Sequence, residues 1–351
     1  MSKKTHKMDL MGDARKAIEA VIRPPRRQYD LNSLPTTLYD NVNGKKYSRN
    51  PINFINQRNE KIVGSLYTES TRNVMEGGPC VIYLHGNISS QQEGIFLVPN
   101  FCPYGVTVYL FDFSGCGESE GDHITLGFNE SQDLELLINN LIKNFNLGPF
   151  ILWGRSMGAS TALMTNSEKV VGCIIDSSFC KLNDVCLNIA KNFGIPKGID
   201  NLVVWWLDLT IYDFVDLDFD NVKPIKAAKS DGKPPAIFGH AENDEIIPFS
   251  DAEKIFKVYS NKEKTLIKLP DGHNSERPNY WFKKCILFAL EKLSVEIPKD
   301  FKYVKVNGME KRAHFNSYQE LIDFAKSHGG EDKALQSIPI ESNLQCEIVD
   351  D

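Results

Sequence analysis

The sequence has no Cys-x-x-Cys pair, no long apolar run and no excess of basic residues. Its eight cysteines are scattered between Cys80 and Cys346, which argues against a zinc ribbon or a disulfide framework and fits reduced thiols. The apolar stretches fall well short of the ~18 residues that a membrane span needs. The opening MSKKTHKMDLMGDARK lacks the apolar core of a signal peptide. Ser2 stands where myristoylation needs glycine, and Cys346 lies too far from the C-terminus for prenylation. These absences predict a cytoplasmic protein with no stable membrane anchor. Acidic residues outnumber basic ones by 46 to 40, so the basic stripe of a nucleic-acid binder is missing. The small cluster Arg23-Pro-Pro-Arg26-Arg27 reads as solvated surface.

What is present is the composition of a globular domain with a sizeable core, 42% apolar and 25% charged. The glycosylation sequons at Asn87 and Asn129 read as chance matches. An acidic run, Asp216-Leu-Asp218-Phe-Asp220, begins like a calcium loop. Asn221 then stands where the loop needs glycine, and Ala227 where it needs the bidentate glutamate. No metal site is expected.

The first fifty residues are polar, with a helix-like stretch near 8–22. Residues 52–70 alternate like a hairpin around Arg58-Asn59-Glu60. Short runs rich in β-branched and aromatic residues follow at 81–84, 106–113, 150–154, 170–176, 235–240 and 265–269, as strands buried on both faces require. Helical spacing appears between them at 130–145, 251–260 and 279–293. Strands alternating with helices predict a mostly parallel α/β sheet with its active site at the carboxyl ends of the strands. Residues 180–233 interrupt the alternation with two expected helices, near 182–193 and 198–213, and read as a helical cap insertion. The expected organisation is an N-terminal extension (1–36), one α/β domain (37–293) and a peripheral, partly disordered polar tail (294–351).

Gly-x-Ser-x-Gly occurs twice, around Ser156 and around Ser119. The motif matches by chance too readily to decide anything alone, but its surroundings separate the copies. A nucleophile elbow needs a strand running straight into the serine and a helix leaving straight after it. FILW enters Ser156 and MGASTALM leaves it, whereas the strand before Ser119 ends five residues early and GDHITLG is no helix. A serine hydroxyl needs a base. Of seven histidines, His273 lies after the last apolar run and before the final helix, where it can swing over the strand ends. His85 and His240 end buried strands and read as structural. The acid that orients the base comes from Asp244, in GHAENDEIIP, with Asp176 in reserve. The order Ser156, Asp244, His273 is the one this arrangement takes on an α/β sheet. Backbone N–H groups of Met157 and Asn87 are the expected oxyanion donors.

Four segments together, YLHGN (83–87), FDFSGCGES (111–119), WGRSMGAS (153–160) and AENDEIIP with DGHNS, resemble the α/β-hydrolase superfamily. The resemblance covers residues 50–293 and is nearest to its serine-aminopeptidase-like and protein-depalmitoylase-like branch. It implies the α/β-hydrolase fold, a triad of Ser156, Asp244 and His273, hydrolysis of an ester, thioester or amide, and no cofactor. Two departures stand out. Ser114 replaces an arginine common among relatives, and no cysteine precedes Cys80, which weakens the case for lipidated membrane proteins as substrates. The expected partner is a small-molecule or acylated substrate. Within the insertion, Leu202 to Leu207 (LVVWWL) has two readings: a helix packed on the sheet, or an acyl pocket with Trp205 and Trp206 as substrate contacts. A histidine base predicts activity that rises with pH as the imidazole loses its proton. A peptidase and a catalytically silent binding protein are the rival readings.

Overall fold

The runs that read as strands buried on both faces lie side by side in one sheet. The computed structural model describes residues 22–23, 25–192, 221–307, 335–336 and 340–349. The sheet's strands are β1 (Thr37–Asp40), β2 (Lys45–Pro51), β3 (Gly64–Glu69), β4 (Gly78–Leu84) and β5 (Thr107–Phe111). They continue with β6 (Leu147–Arg155), β7 (Val170–Asp176), β8 (Ala236–Ala241), β9 (Lys264–Leu269) and β10 (Asn343–Leu344). Their spatial order is β9-β8-β7-β6-β4-β5-β3-β2-β1-β10. From β9 to β5 every pair is parallel, and from β5 to β1 every pair is antiparallel.

Parallel neighbours require crossovers. These are α1 (Phe128–Phe145) before β6, α2 (Met157–Met164) after it and α4 (Phe249–Val258) before β9, while α5 (Asn279–Lys292) follows β9. Alternation along β6 explains why its run is continuously apolar. Phe150 and Leu152 face a layer with Leu134, Leu137 and Ile138 of α1, while Ile151 and Trp153 face Trp281, Ile286 and Leu290 of α5. The elements therefore leave the loops after β4, β6, β7, β8 and β9 together at one edge of the sheet.

The insertion begins with α3 (Leu182–Asn192), as its spacing predicts. The expected helix at 198–213, with Trp205 and Trp206, and the one at 8–22 apart from Ile22, lie outside the described residues, as does the acidic run 216–220. The expected hairpin is a short one, Phe54–Ile55 against Lys61–Ile62.

Two boundaries differ from the sequence reading. The tail is not wholly peripheral: Tyr303–Val306 pairs antiparallel with Cys346–Val349, and β10 extends the main sheet beside β1. Tyr303, Val304, Val306, Leu344 and Cys346 join the core. Their strands are two to four residues long with Lys305 and Glu347 interleaved, too short for periodicity to stand out from polar chain. At the other end Ile22 is buried in the core and its carbonyl accepts from the Ile124 N–H, so the N-terminal extension is partly built into the domain.

Candidate active site

β6 ends at Arg155 and α2 begins at Met157, which leaves Ser156 alone to turn the chain. It does so at φ 54°, ψ −114°, a region that residues with a side chain avoid and that surrounding structure must impose. The flanking glycines make this possible. A Cβ at Gly154 would collide with the Gly158 carbonyl, and one at Gly158 would strike the Leu84 and His85 carbonyls. The Ser156 N–H donates to the Asp176 carbonyl at 2.7 Å, and the Ser156 carbonyl accepts from Ser160 at 3.0 Å. Those bonds fix the backbone and leave the hydroxyl to the side-chain chemistry.

The second copy of the motif does something else. Ser119 Oγ donates to the Asp112 carbonyl at 2.7 Å and accepts from the Val63 N–H at 2.9 Å. Its hydroxyl is consumed in tying the loop after β5 to Val63, the residue just before β3. Ser114, the departure from the family pattern, donates to Glu60 at 2.7 Å.

His273 follows β9, and its Nε2 lies 3.0 Å from Ser156 Oγ while its Nδ1 lies 2.6 Å from Asp244 Oδ2. Asp244 sits just beyond β8. Its Oδ1 accepts from the N–H groups of Ile246 (3.0 Å) and Ile247 (2.7 Å), and His240 Nε2 stands 3.3 Å from Oδ2. Burial by itself would raise this carboxyl, but His273, His240 and the backbone donors outweigh it and hold Asp244 well below the usual carboxylate range. The anion is therefore built in.

The reserve acid, Asp176, is engaged elsewhere. Arg277 grips it through Nε (3.1 and 3.0 Å) and Nη2 (2.9 Å). The same guanidinium donates to the carbonyls of Gly272 (3.1 Å), His273 (3.1 Å) and Ser275 (3.3 Å), which pins the histidine loop. Asp176 is opposed by burial but held low by Arg277 and Arg155.

The loop after β4 lies against the elbow: a Cβ at Gly86 would rest 3.8 Å from that of Ser156. His85 Nδ1 is 2.7 Å from the Gly86 carbonyl, and the Phe113 N–H points at His85 Nε2 at 3.1 Å. A carbonyl only accepts and an N–H only donates, so the network assigns the proton to Nδ1. Burial keeps His85 below the ordinary histidine range, which suits this neutral form. By gripping the Gly86 carbonyl, His85 sets the peptide plane whose other end is the Asn87 N–H. Met157 opens α2, where an N–H has no carbonyl one turn back and the helix carries its positive end.

The basic cluster read as solvated surface is so only at Arg23, which is exposed, while Arg26 is half-buried and Arg27 buried. Arg27 is 5% exposed and donates to the Ile88 carbonyl at 3.2 Å. Arg26 reaches the carbonyls of Ser119 and Gly121, and Tyr29 bonds the Asp112 carboxylate. The arginines' partners are backbone carbonyls 61 to 95 residues further on, and local charge pattern carries no signal of them. Arg155 and Arg277 were likewise outside the sequence-predicted site, and Trp205 and Trp206 fall outside the described residues. Among the described residues no cluster of histidine, cysteine or carboxylate groups could hold a metal, and no helix is long and apolar enough to cross a membrane.

Residues 81–242 match the model of the Alpha/beta hydrolase family, a span that contains the elbow and stops just before Asp244. The esterase Pf2001 of Pyrococcus furiosus superposes with a TM-score of 0.54 at 18% identity, over 71% of this chain and 92% of the esterase. The chain has the α/β-hydrolase fold, and residues 81–242 carry that family's sequence pattern. Est1E of Butyrivibrio proteoclasticus, with ferulic acid bound, superposes with a TM-score of 0.52 at 15% identity, over 69% of this chain and 99% of that one. Among curated relatives, the uncharacterized protein R595 of Acanthamoeba polyphaga mimivirus is 27% identical over 52% of this chain and 62% of its own. Lysophosphatidylserine lipase ABHD12 of Danio rerio is 24% identical over 51% of this chain and 47% of its own. The matched region thus spans about half to two-thirds of those two relatives.

Proposed function

We propose that the protein is a serine hydrolase that cleaves a carboxylic ester or thioester through an acyl-enzyme. The observation that carries this reading is the unbroken relay from Asp244 Oδ2 through His273 to Ser156 Oγ, at 2.6 and 3.0 Å, ending on a serine in a strained elbow. Ser156 Oγ attacks the substrate carbonyl carbon and passes its proton to His273 Nε2. Asp244 orients the ring and balances the imidazolium charge that forms. The N–H groups of Met157 and Asn87 donate hydrogen bonds to the oxyanion that develops on the carbonyl oxygen. His273 then protonates the leaving alcohol or thiol, the acyl group stays on Ser156, and water activated by the same imidazole releases the acid. The substrate is a small acylated molecule, with Trp205 and Trp206 assigned to its acyl chain. The lipase and esterases among the similar proteins support an ester as the bond, and no cofactor is required by these steps.

A panel of nitrophenyl esters and acyl thioesters of increasing chain length tests this. Turnover by the wild type that is lost in Ser156→Ala and His273→Gln is expected. Turnover retained in Ser156→Ala would contradict it, and release from an aminoacyl anilide alone would favour a peptidase.

A further inference from the structure

The two loops that flank Ser156 come from different parts of the sheet. The loop carrying Gly86 and Asn87 follows β4, which is next to β6, whereas the loop carrying His273 follows β9, three strands away on the other side. Acyl transfer needs both at fixed distances from one hydroxyl. Arg155, the residue immediately before the nucleophile, spans the gap. Its Nη2 donates to the carbonyls of His273 (3.2 Å) and Ser275 (3.4 Å), and its Nη1 lies 3.6 Å from Glu93 Oε1. The other oxygen of that carboxylate, Glu93 Oε2, accepts the Gly86 N–H at 3.3 Å. One path of polar contacts therefore runs from the oxyanion loop through Glu93 and Arg155 to the loop of the base.

We propose that Glu93 and Arg155 are a positioning pair that sets the Gly86–Asn87 loop and the His273 loop against Ser156 in one geometry. The proposal rests on the acyl-enzyme reading above. Both side chains are largely shielded, with 6% and 18% exposure. Taking two charges out of water is costly, and apolar residues of similar volume commonly hold a fold equally well. What apolar residues cannot do is grip a backbone N–H at one end and two carbonyls at the other. The planar guanidinium fork suits this, since it offers several donors in a fixed geometry. Arg277, neutralised by Asp176, holds the same His273 carbonyl from the β7 side at 3.1 Å. Two arginines thus hold the base loop by its carbonyls, and of these Arg155 also reaches Glu93, the carboxylate that holds the oxyanion loop.

The test compares wild type with Glu93→Met/Arg155→Met, which removes both charges together, and with Arg155→Lys and Glu93→Gln. Thermal melting, ester kcat and KM, and the rate of labelling by a fluorophosphonate are measured on each full-length protein. The double variant is expected to melt near the wild type and to lose about 100-fold in kcat, the scale of an ångström-sized misplacement, with KM within about threefold. Labelling should slow in parallel. Arg155→Lys should keep the melting temperature without restoring kcat, because it keeps the charge and loses the fork. A folded double variant with wild-type kcat and labelling rate would overturn the proposal, as would an effect confined to KM. If the double variant does not fold, Glu93→Gln decides: a loss of about tenfold or more in kcat with KM unchanged supports the pair, and unchanged kcat refutes it. Failure of the underlying reading looks different, since the wild type itself would then resist labelling.

Discussion

Two serines in this chain share the same five-residue motif, and their hydroxyls have opposite fates. Ser119 donates to the Asp112 carbonyl and accepts from the Val63 N–H, both in a buried site. Removing that hydroxyl leaves a buried donor and a buried acceptor unsatisfied, so Ser119→Ala should lower unfolding free energy by about 1–3 kcal/mol in a denaturant titration. Activity per folded molecule should be unchanged. The distinction between the serines was legible in the sequence, because strand-in and helix-out is a local pattern. The choice between Asp244 and Asp176 was only partly legible. Both end strands at the correct edge, and what separates them is Arg277, 101 residues beyond Asp176. No short-range pattern reports a bond of that span. The roles of Arg27, Arg155 and Arg277 were hidden for the same reason: each acts on backbone carbonyls, which every residue possesses.

Among the elements, the turn between β6 and α2 depends on contact, not only on backbone freedom. Gly158 packs where the end of β4 passes, with the Leu84 and His85 carbonyls in the space a Cβ would take. Gly158→Ala should therefore push α2 away from β4, at a cost of about 1–3 kcal/mol. It should also depress fluorophosphonate labelling far more than Gly232→Ala, since Gly232 faces open space at a surface turn whose φ of 79° gives only local strain. Labelling equal in the two variants would contradict this. The central strands were readable because burial on both faces forces long apolar runs, as in Phe150–Trp153. The edge was not readable. Asn343–Leu344 and Cys346–Val349 are short, and their partners lie some 300 residues earlier in β1 or about 40 residues away at 303–306.

At the scale of the whole molecule, two carboxylates of the site, Asp176 and Asp244, couple stability to pH. Asp176 and Asp244 are both held below the usual range, Asp176 by Arg277 and Arg155 against the opposing effect of burial. A carboxyl depressed on folding binds its proton more tightly in the unfolded chain. Its stabilisation is present above the unfolded value of about 3.9 and fades as pH falls through the lower folded value. The melting temperature should drop as pH is lowered from 5 toward 3. In Asp176→Asn that slope should be shallower, on a protein destabilised at neutral pH by about 3–5 kcal/mol because Arg277 loses its buried partner. A parallel slope would mean that Asp176 titrates alike in both states. The eight cysteines are all buried free thiols, and burial pushes Cys173 up to about 12, which fits packing and not nucleophilic chemistry.

The central claim is that the hydroxyl of Ser156 is the activated nucleophile. The most direct measurement is to react the folded, full-length protein with a fluorophosphonate, digest it and locate the adduct by mass. The relay from Asp244 through His273 requires the adduct on Ser156, its loss in Ser156→Ala and its persistence in Ser119→Ala. An adduct on any other residue, or none on a protein verified as folded, would contradict it.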